Sequence, residues 1–337
     1  MIMNQVNHQK SRIVFMGTPD FAVPSLRRLV EEGYPVLAVV CQPDKPTGRH
    51  QVLTAPPVKQ AANELGITVL QPTKIRTGEF AAQLRELAPD MIVTAAYGRI
   101  LPADILQIPP QGCLNVHGSL LPEYRGAAPV QWSIIDGRTE TGITIMLMDE
   151  GMDTGDILLQ GRLPIPPDMD AGQLMDALAT LGADLLPTAI SGLLDHTLTP
   201  VQQDESKATY AAMVNRETGH IDWTRSAEVI HNLVRGTYPW PGAWTTLPDG
   251  KRLKIHRTAV IDKNDLQALT GQHAPGTIQT GQHAPGTILA AQKSGITVAA
   301  GTGAINLLEI QPEGGKRLKS QDCAHNYSVG LLLGGIL

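Results

Sequence analysis

Asn115 and His117 stand two residues apart in the run Asn115-Val116-His117-Gly118-Ser119-Leu120-Leu121-Pro122. Asp153 follows 36 residues after the histidine, within Asp149-Glu150-Gly151-Met152-Asp153-Thr154-Gly155. An amide, an imidazole and a carboxylate are what acyl transfer to an amine requires: donors for a developing oxyanion, a proton carrier, and an anion that orients the carrier. The apolar stretch around Asn115 reads as a short strand. Period-two alternation then sends Asn115 and His117 to one face and Leu114 and Val116 to the other. Gly118 ends the strand, so the pair lies at a carboxyl end, where open α/β sheets bind ligands. No Cys-x-x-Cys or His-Glu-x-x-His spacing accompanies the trio, and no metal is expected.

Elements able to hold such a trio alternate along the first two hundred residues. Strands are predicted at 13–16, 36–41, 68–70, 91–95, 114–117, 143–148 and 157–163, with helices around 22–32, 58–65, 79–87, 130–135 and 171–194. This alternation predicts an α/β, Rossmann-like domain: a mainly parallel sheet with helices on both faces. Its first strand runs into Gly17-Thr18-Pro19-Asp20 and lacks the Gly-x-Gly-x-x-Gly spacing that brings backbone up to a pyrophosphate, which argues against a dinucleotide oxidoreductase. Residues 204–221 are charged and polar with little apolar periodicity, the character of a linker. From residue 222 short apolar runs alternate with Gly/Pro turns. A helix at 227–235 and strands at 251–261, 286–291, 295–300 and 305–308 suggest a small β-barrel.

A chain of 337 residues exceeds the usual size of one domain, so two are expected. The formal charge of -5 is unevenly spread: residues 1–221 hold 16 Lys and Arg against 24 Asp and Glu, and residues 222–337 hold 11 against 8. Nucleic acid is held largely through its phosphates, so the basic C-terminal part is the better platform for it. Candidate contacts are Lys251, Arg252, Lys254 and Arg257, with the group Lys316, Arg317 and Lys319. Cys41, Cys113 and Cys323 form no spaced pair, which favours a reducing compartment over a disulfide scaffold. The first ten residues carry no signal-peptide pattern. The apolar stretch 329–337 is far shorter than the ~20 residues of a membrane span. A cytoplasmic, monomeric protein with no membrane contact is expected.

The pattern around the trio resembles the 10-formyltetrahydrofolate-dependent formyltransferases. Several stretches resemble, within that family, the branch acting on methionyl initiator tRNA. They are Phe15-Met-Gly-Thr-Pro-Asp-Phe21, Gln42-Pro-Asp-Lys-Pro-Thr-Gly-Arg49, Ala96-Tyr-Gly98 with Leu101-Pro102, Tyr124-Arg-Gly-Ala-Ala-Pro129, and Ile221-Asp-Trp223 with Pro239-Trp-Pro241. The resemblance spans roughly residues 11 to 325. It implies Asn115, His117 and Asp153 as the catalytic trio, Ser119, Leu120, Leu121 and Pro122 as the loop lining the folate pocket, and 10-formyltetrahydrofolate as co-substrate. It implies a catalytic domain at 11–203, a linker at 204–221, and an OB-fold-like domain at 222–331 that helps hold the tRNA. Arg49, on a basic insertion, is implied as a contact to the tRNA acceptor stem, with Lys251, Arg252 and Lys254 as further contacts. His50-Gln51-Val52 departs from the Gly-Lys-Lys often found next in the family, which removes two phosphate-binding charges. Transfer of the formyl group to methionyl initiator tRNA, for translation initiation, is the expected reaction. A nucleotide-linked amino sugar is the alternative acceptor, and the route of the proton, through His117 or through a water held by Asp153, stays open.

One feature belongs to neither pattern. Residues 270–278, Thr-Gly-Gln-His-Ala-Pro-Gly-Thr-Ile, recur at 280–288. The unit is too short for a solenoid, whose repeats need roughly 20–50 residues, and its Gly/Pro content marks a loop. The second copy leads into the strand expected at 286–291, which makes the first an inserted loop without chemistry.

Overall fold

The computed structural model describes residues 10–48, 51–261 and 283–334. Its early elements are β1 (Ile13–Gly17), α1 (Val23–Glu31), β2 (Val36–Val40), β3 (Lys45–Thr47), β4 (Val52–Thr54), α2 (Pro57–Glu64), β5 (Val69–Leu70), α3 (Glu79–Leu87), β6 (Met91–Ala95), α4 (Ala103–Leu106) and β7 (Cys113–His117). Next come β8 (Arg125–Gly126), α5 (Pro129–Ile135), β9 (Glu140–Leu147), β10 (Ile157–Pro164), α6 (Ala171–Leu194) and β11 (Tyr210–Ala211). Seven of the strands form one sheet in the order β10-β9-β7-β6-β1-β2-β5. From β5 to β7 the pairs are parallel, whereas β9 and β10 are antiparallel additions at the β7 edge. β1 and β6 are buried along their whole length, as their unbroken apolar sequences require of strands covered on both faces.

The longest helix, α6, has the length and apolarity to cross a membrane. Here it covers the sheet. A Cβ added at Gly182 would meet Val116 at 2.7 Å, and one at Gly161 of β10 would meet Leu185 at 2.6 Å. α6 therefore lies on the Val116 face of β7, opposite the face that carries Asn115 and His117.

The chain divides into two compact units. The first comprises residues 1–129, 140–164 and 175–212; the second comprises 130–139, 165–174 and 213–337. The polar segment 204–221 is shared between them, with 204–212 in the first. There β11 pairs in parallel with β8, and Asp204 caps a short helical turn through the backbone of Ser206.

The second unit opens with α7 (Ala227–Thr237), started by Ser226, whose hydroxyl accepts from the Val229 N–H. Such an N-cap satisfies one of the donors a helix leaves open at its start. β12 (Ala243–Thr246), β13 (Arg252–Val260), β14 (Ile288–Gln292), β15 (Gly295–Ala299), β16 (Ala304–Pro312) and β17 (Leu318–Lys319) follow. All pairings in this sheet are antiparallel, along the path β12-β13-β16-β15-β14 with β17 on β16. Leu253 and Ile255 of β13 point into a core with Trp223, Ile230, Ile305 and Leu307, while Arg252 and Lys254 point outward. Sequence patterning does not reveal β12 and β17. Each is short, and β12 follows the Pro239-Trp240-Pro241-Gly242 turn that masks its apolar period.

Candidate active site

β7 carries Asn115, half-buried, and His117, buried, on one face as the alternation requires. Its neighbours are in register: Thr94 of β6 lies beside Asn115, and Thr144 of β9 beside His117. The buried Thr94 hydroxyl donates to Asn115 Oδ1 at 2.7 Å. That bond orients the amide, leaving the Nδ2 hydrogens as the donors directed elsewhere.

The imidazole of His117 sits between two acceptors. Its Nε2 lies 3.0 Å from the carbonyl oxygen of Tyr124; a carbonyl only accepts, so Nε2 carries the hydrogen. Nδ1 faces Asp153 Oδ1 at 3.6 Å, beyond hydrogen-bond length. The other carboxylate oxygen, Oδ2, accepts from the Gly126 N–H at 2.8 Å. Nδ1 is thus the ring position from which a proton can be given or taken, with an anion beside it. Tyr124 and Asp153 both have left-handed backbones, with φ of 59° and 55°, a region uncommon for residues other than glycine and frequent at functional sites. In the same turn a Cβ at Gly155 would lie 1.8 Å from the Leu147 carbonyl, so only glycine fits there.

The loop after His117 is braced from below. The Thr144 hydroxyl donates to the Ser119 carbonyl at 2.7 Å and accepts from the Leu121 N–H at 3.1 Å. The Gln160 amide donates to the Leu121 carbonyl and to Thr144 Oγ1, each at 2.9 Å. Ser119 Oγ donates to the Glu123 carbonyl at 2.6 Å. Ser119 and Leu121 are buried, whereas Leu120 and Pro122 are half-buried. Residues 119–122 carry no charge, and the bonds from Thr144 and Gln160 fix their backbone.

A third group of side chains adjoins the trio. Arg125, without exposed surface, forks onto Gln203 and Glu205, and the Gln203 amide also donates to the carbonyls of Asp153 and Gly155 at 2.8 and 2.7 Å. The hydrogen bond to Glu205 holds the Arg125 guanidinium above its usual range, and Arg125 holds the Glu205 carboxyl below its own.

Residues 11–190 match the family described as formyl transferase, and residues 213–328 match the formyl transferase C-terminal domain. The chain belongs to the formyl transferase family. Among its relatives are the methionyl-tRNA formyltransferase of Ruminiclostridium cellulolyticum, 49% identical over 92% of this chain and 95% of that protein, and that of Acetivibrio thermocellus, 48% identical over 96% and 99%. The methionyl-tRNA formyltransferase of Geobacter metallireducens is 50% identical over 92% of this chain and 94% of its own. Solved structures of the same fold include WlaRD, a sugar 3N-formyl transferase, at 17% identity and a TM-score of 0.61, covering 88% of this chain and 97% of that one. HypX from Aquifex aeolicus, one structure of which holds tetrahydrofolic acid, is 15% identical with a TM-score of 0.59, covering 94% of this chain. The chain spans about half the length of HypX, 47%.

In this formyl transferase the basic residues expected to contact tRNA fare unequally. Lys251 is exposed but pairs with Asp249 at 2.8 Å, and Arg317 pairs with Glu309. Arg252 lies over the Trp244 ring, 4.4 Å from its centroid, and the His220 ring lies 4.4 Å from the same indole. Lys254 is exposed on the outward face of β13. Arg49 and His50 lie outside the described residues, between β3 and β4, which pair with each other; so does the stretch 270–282 of the tandem copies. Sequence reasoning does not single out Thr94, Thr144, Gln160, Arg125, Gln203 or Glu205. Thr94 carries a signal as the polar residue of an otherwise apolar strand, and Arg125 lies within the Tyr124–Pro129 stretch that carries the family resemblance.

Proposed function

We propose that this enzyme transfers the formyl group of 10-formyltetrahydrofolate to the α-amino group of methionyl initiator tRNA, with Asn115, His117 and Asp153 carrying the chemistry. The folate supplies an activated one-carbon group, and Ser119, Leu120, Leu121 and Pro122 are the residues that would hold it. Asn115, its carbonyl oxygen committed to Thr94, offers Nδ2 hydrogens to an oxyanion developing at the formyl carbon. A preorganised donor of this kind is worth roughly 3–4 kcal/mol. His117 offers Nδ1, because Nε2 is committed to the Tyr124 carbonyl. Asp153, anchored by the Gly126 N–H, stands where it pairs with a proton on Nδ1 and orients the ring, the role of the acid in a hydrolytic triad. The incoming amine must lose a proton and the leaving folate nitrogen must gain one, and the Nδ1 edge is the exchange point for both.

The observation that carries this reading is the imidazole seated between the Tyr124 carbonyl and the Asp153 carboxylate, in a chain about half identical to methionyl-tRNA formyltransferases along nearly all of its length. Residues 11–203 are assigned the transfer and residues 222–331 the grip on tRNA, with 204–221 between them; the two family matches, at 11–190 and 213–328, support that division. Arg49, Lys251, Arg252 and Lys254 are assigned to the tRNA, and the enzyme is proposed to act as a cytoplasmic monomer. The likeness to sugar formyltransferases lies at the level of fold. The test is one assay: purified enzyme, 10-formyltetrahydrofolate and either charged initiator tRNA or a nucleotide-linked amino sugar, with formylmethionine read by mass after ester hydrolysis. Formylmethionine is expected and the sugar stays unmodified. A formylated sugar with untouched tRNA would overturn the choice of acceptor.

A further inference from the structure

The segment 203–211 falls between the two family-matched regions, and from 204 on it is polar enough to read as linker, yet it is built into the wall around His117. Arg125 Nε and Nη2 reach Gln203 Oε1 at 3.0 and 2.8 Å, and Nη1 and Nη2 reach the two Glu205 oxygens at 2.9 and 2.7 Å. Gln203 Nε2 spans to the carbonyls of Asp153 and Gly155. Thr209 accepts the Arg125 N–H on its carbonyl and the Tyr124 N–H on its hydroxyl, both at 2.8 Å. β11 then pairs with β8, and Ala211 accepts the Ala127 N–H at 2.9 Å. Both acceptors that face the imidazole, and the N–H that anchors the second, are thereby tied to one assembly.

We propose that Arg125, Gln203 and Glu205 form a positioning device for His117, in which the Arg125–Gln203 pair sets the spacing between the Tyr124 carbonyl and the Asp153 carboxylate. The proposal rests on the formyl-transfer reading of the trio. Tyr124 and Asp153 each hold a left-handed backbone, a conformation that persists only where the surroundings over-determine it. Gln203 supplies that constraint for the Asp153 turn, and Arg125, covalently next to Tyr124 and Gly126, supplies it for the facing strand. A buried guanidinium without partners is costly, so its forked bonds to Gln203 and Glu205 lock the two walls in one register. Glu205 is the adjustable end, its side chain 67% exposed. The three residues are positioning residues, acting through Tyr124 and Asp153.

The test is Gln203→Met. The expected result is a fall of about tenfold in kcat for formylation, with KM for the donor and for charged tRNA within twofold, because the device sets ring geometry and not substrate affinity. The ring nitrogen resonances of His117, read by NMR on protein labelled at histidine, are expected to shift in the same variant. Gln203→Glu keeps an acceptor for Arg125 but has no N–H for the Asp153 and Gly155 carbonyls, and is expected to be as slow. Glu205→Gln, at the exposed end, keeps one acceptor for the guanidinium and is expected to lose about threefold. A Gln203→Met enzyme with kcat within twofold of wild type, or one whose defect lies in KM with the His117 resonances unmoved, would overturn the proposal. Should Gln203→Met not fold, Gln203→Glu and Glu205→Gln decide by the same criteria. Wild-type enzyme runs alongside: no formylmethionine from it strikes the underlying reading, whereas an active wild type with indifferent Gln203 strikes the positioning device alone.

Discussion

The surroundings of His117 and the outward face of β13 use polar residues in opposite ways. Around the imidazole Thr94, Asn115, His117, Asp153 and Gln203 are each buried or half-buried and bonded to at least one other group, so their directions are fixed before any substrate arrives. On β13 the charges of Arg252, Lys254 and Arg257 are exposed, and Lys251, just before the strand, has its own carboxylate partner. A bonded network in a low-dielectric interior is electrostatically strong and rigid; exposed charges act as a field that salt screens within about a Debye length. One region specifies geometry to fractions of an ångström, and the other specifies only a sign of charge. Their failures should therefore differ in kind.

The largest effect belongs to the buried region. His117→Ala and Asp153→Ala are each expected to lower kcat at saturating donor by at least a hundredfold, with KM for charged tRNA and the melting temperature little changed. Stopped-time formylation assays on the purified variants check this. More than a tenth of wild-type turnover in either variant would remove that residue from the mechanism and erase the contrast with the β13 face.

The exposed face predicts a smaller effect, in the other parameter. Neutralising Arg252 and Lys254 together is expected to raise KM for charged tRNA about tenfold and to flatten its dependence on salt by roughly one log unit per log unit for each phosphate no longer neutralised, with kcat within twofold. Lys251→Ala should do less, because Asp249 already offsets that charge. Arg49→Ala is expected to raise the same KM and leave donor affinity unchanged. Steady-state kinetics at several ionic strengths, varying each substrate in turn, separates these outcomes. A defect confined to the folate donor would mean that the basic residues have been assigned to the wrong substrate.

What the sequence reveals follows the same division. Period-two alternation in 113–117 is enough to put Asn115 and His117 on one face, and the apolar period of 171–194 matches α6 end to end. The side chains of the trio announce themselves by type. Their supports do not: the Tyr124 carbonyl and the Gly126 N–H belong to every peptide bond, and Gln203 and Glu205 lie 78 and 80 residues from Arg125, at the edge and inside of a stretch, 204–221, whose polarity reads as linker. Thr94 needs the register of β6 against β7, which no local pattern encodes. On β13 the reverse holds. The charges are legible at once, but the partners that cancel some of them are not.

The two units should also part company in acid. In the second, burial is the main cause holding His231 and His256 below the usual imidazole range. For His231 the bond to the Pro167 carbonyl and the Asp168 charge oppose burial while Arg235 adds to it; for His256 the bond to Gln311 and the Glu309 charge oppose while Arg317 and Lys254 add to it. His231 bonds Thr258 at 2.9 Å and His256 bonds Gln311 at 3.1 Å. Both histidines are preferred neutral when folded, so their contribution is complete above the unfolded value of 6.5 and is lost as pH falls through the folded values. In the first unit, Arg12 holds the Asp90 carboxyl below its ordinary value of 3.8, and that contribution survives until about pH 4. Between pH 7.5 and 5.5 the melting temperature is expected to drop by a few degrees. His231→Gln with His256→Gln should flatten that drop, while Asp90→Asn should leave it unchanged. An unaltered slope in the double variant would sink the assignment.

The smallest effect is expected where the chain repeats itself. Of the two copies, only the second reaches into the described residues, from 283 on. Gly286 has φ +92°, and a Cβ there would lie 2.4 Å from the Leu333 carbonyl and 3.3 Å from the Trp223 ring. Ile288, two residues on, starts β14 in register with Val298. The first copy lies outside the described residues, and the sequence marks it as an insertion ahead of that strand. Loop-closure entropy grows only by about 0.6 kcal/mol per doubling of loop length, so removing residues 270–279 should change stability by less than that and activity by less than twofold. Gly286→Val, by contrast, brings a side chain against Trp223 in a left-handed backbone and should lower the melting temperature by several degrees. Melting curves and formylation rates of the deletion and of Gly286→Val give the comparison directly. Insoluble protein from the deletion would show that the first copy is built into the second unit, and that the repeat cannot be read as one structural strand entry and one spare.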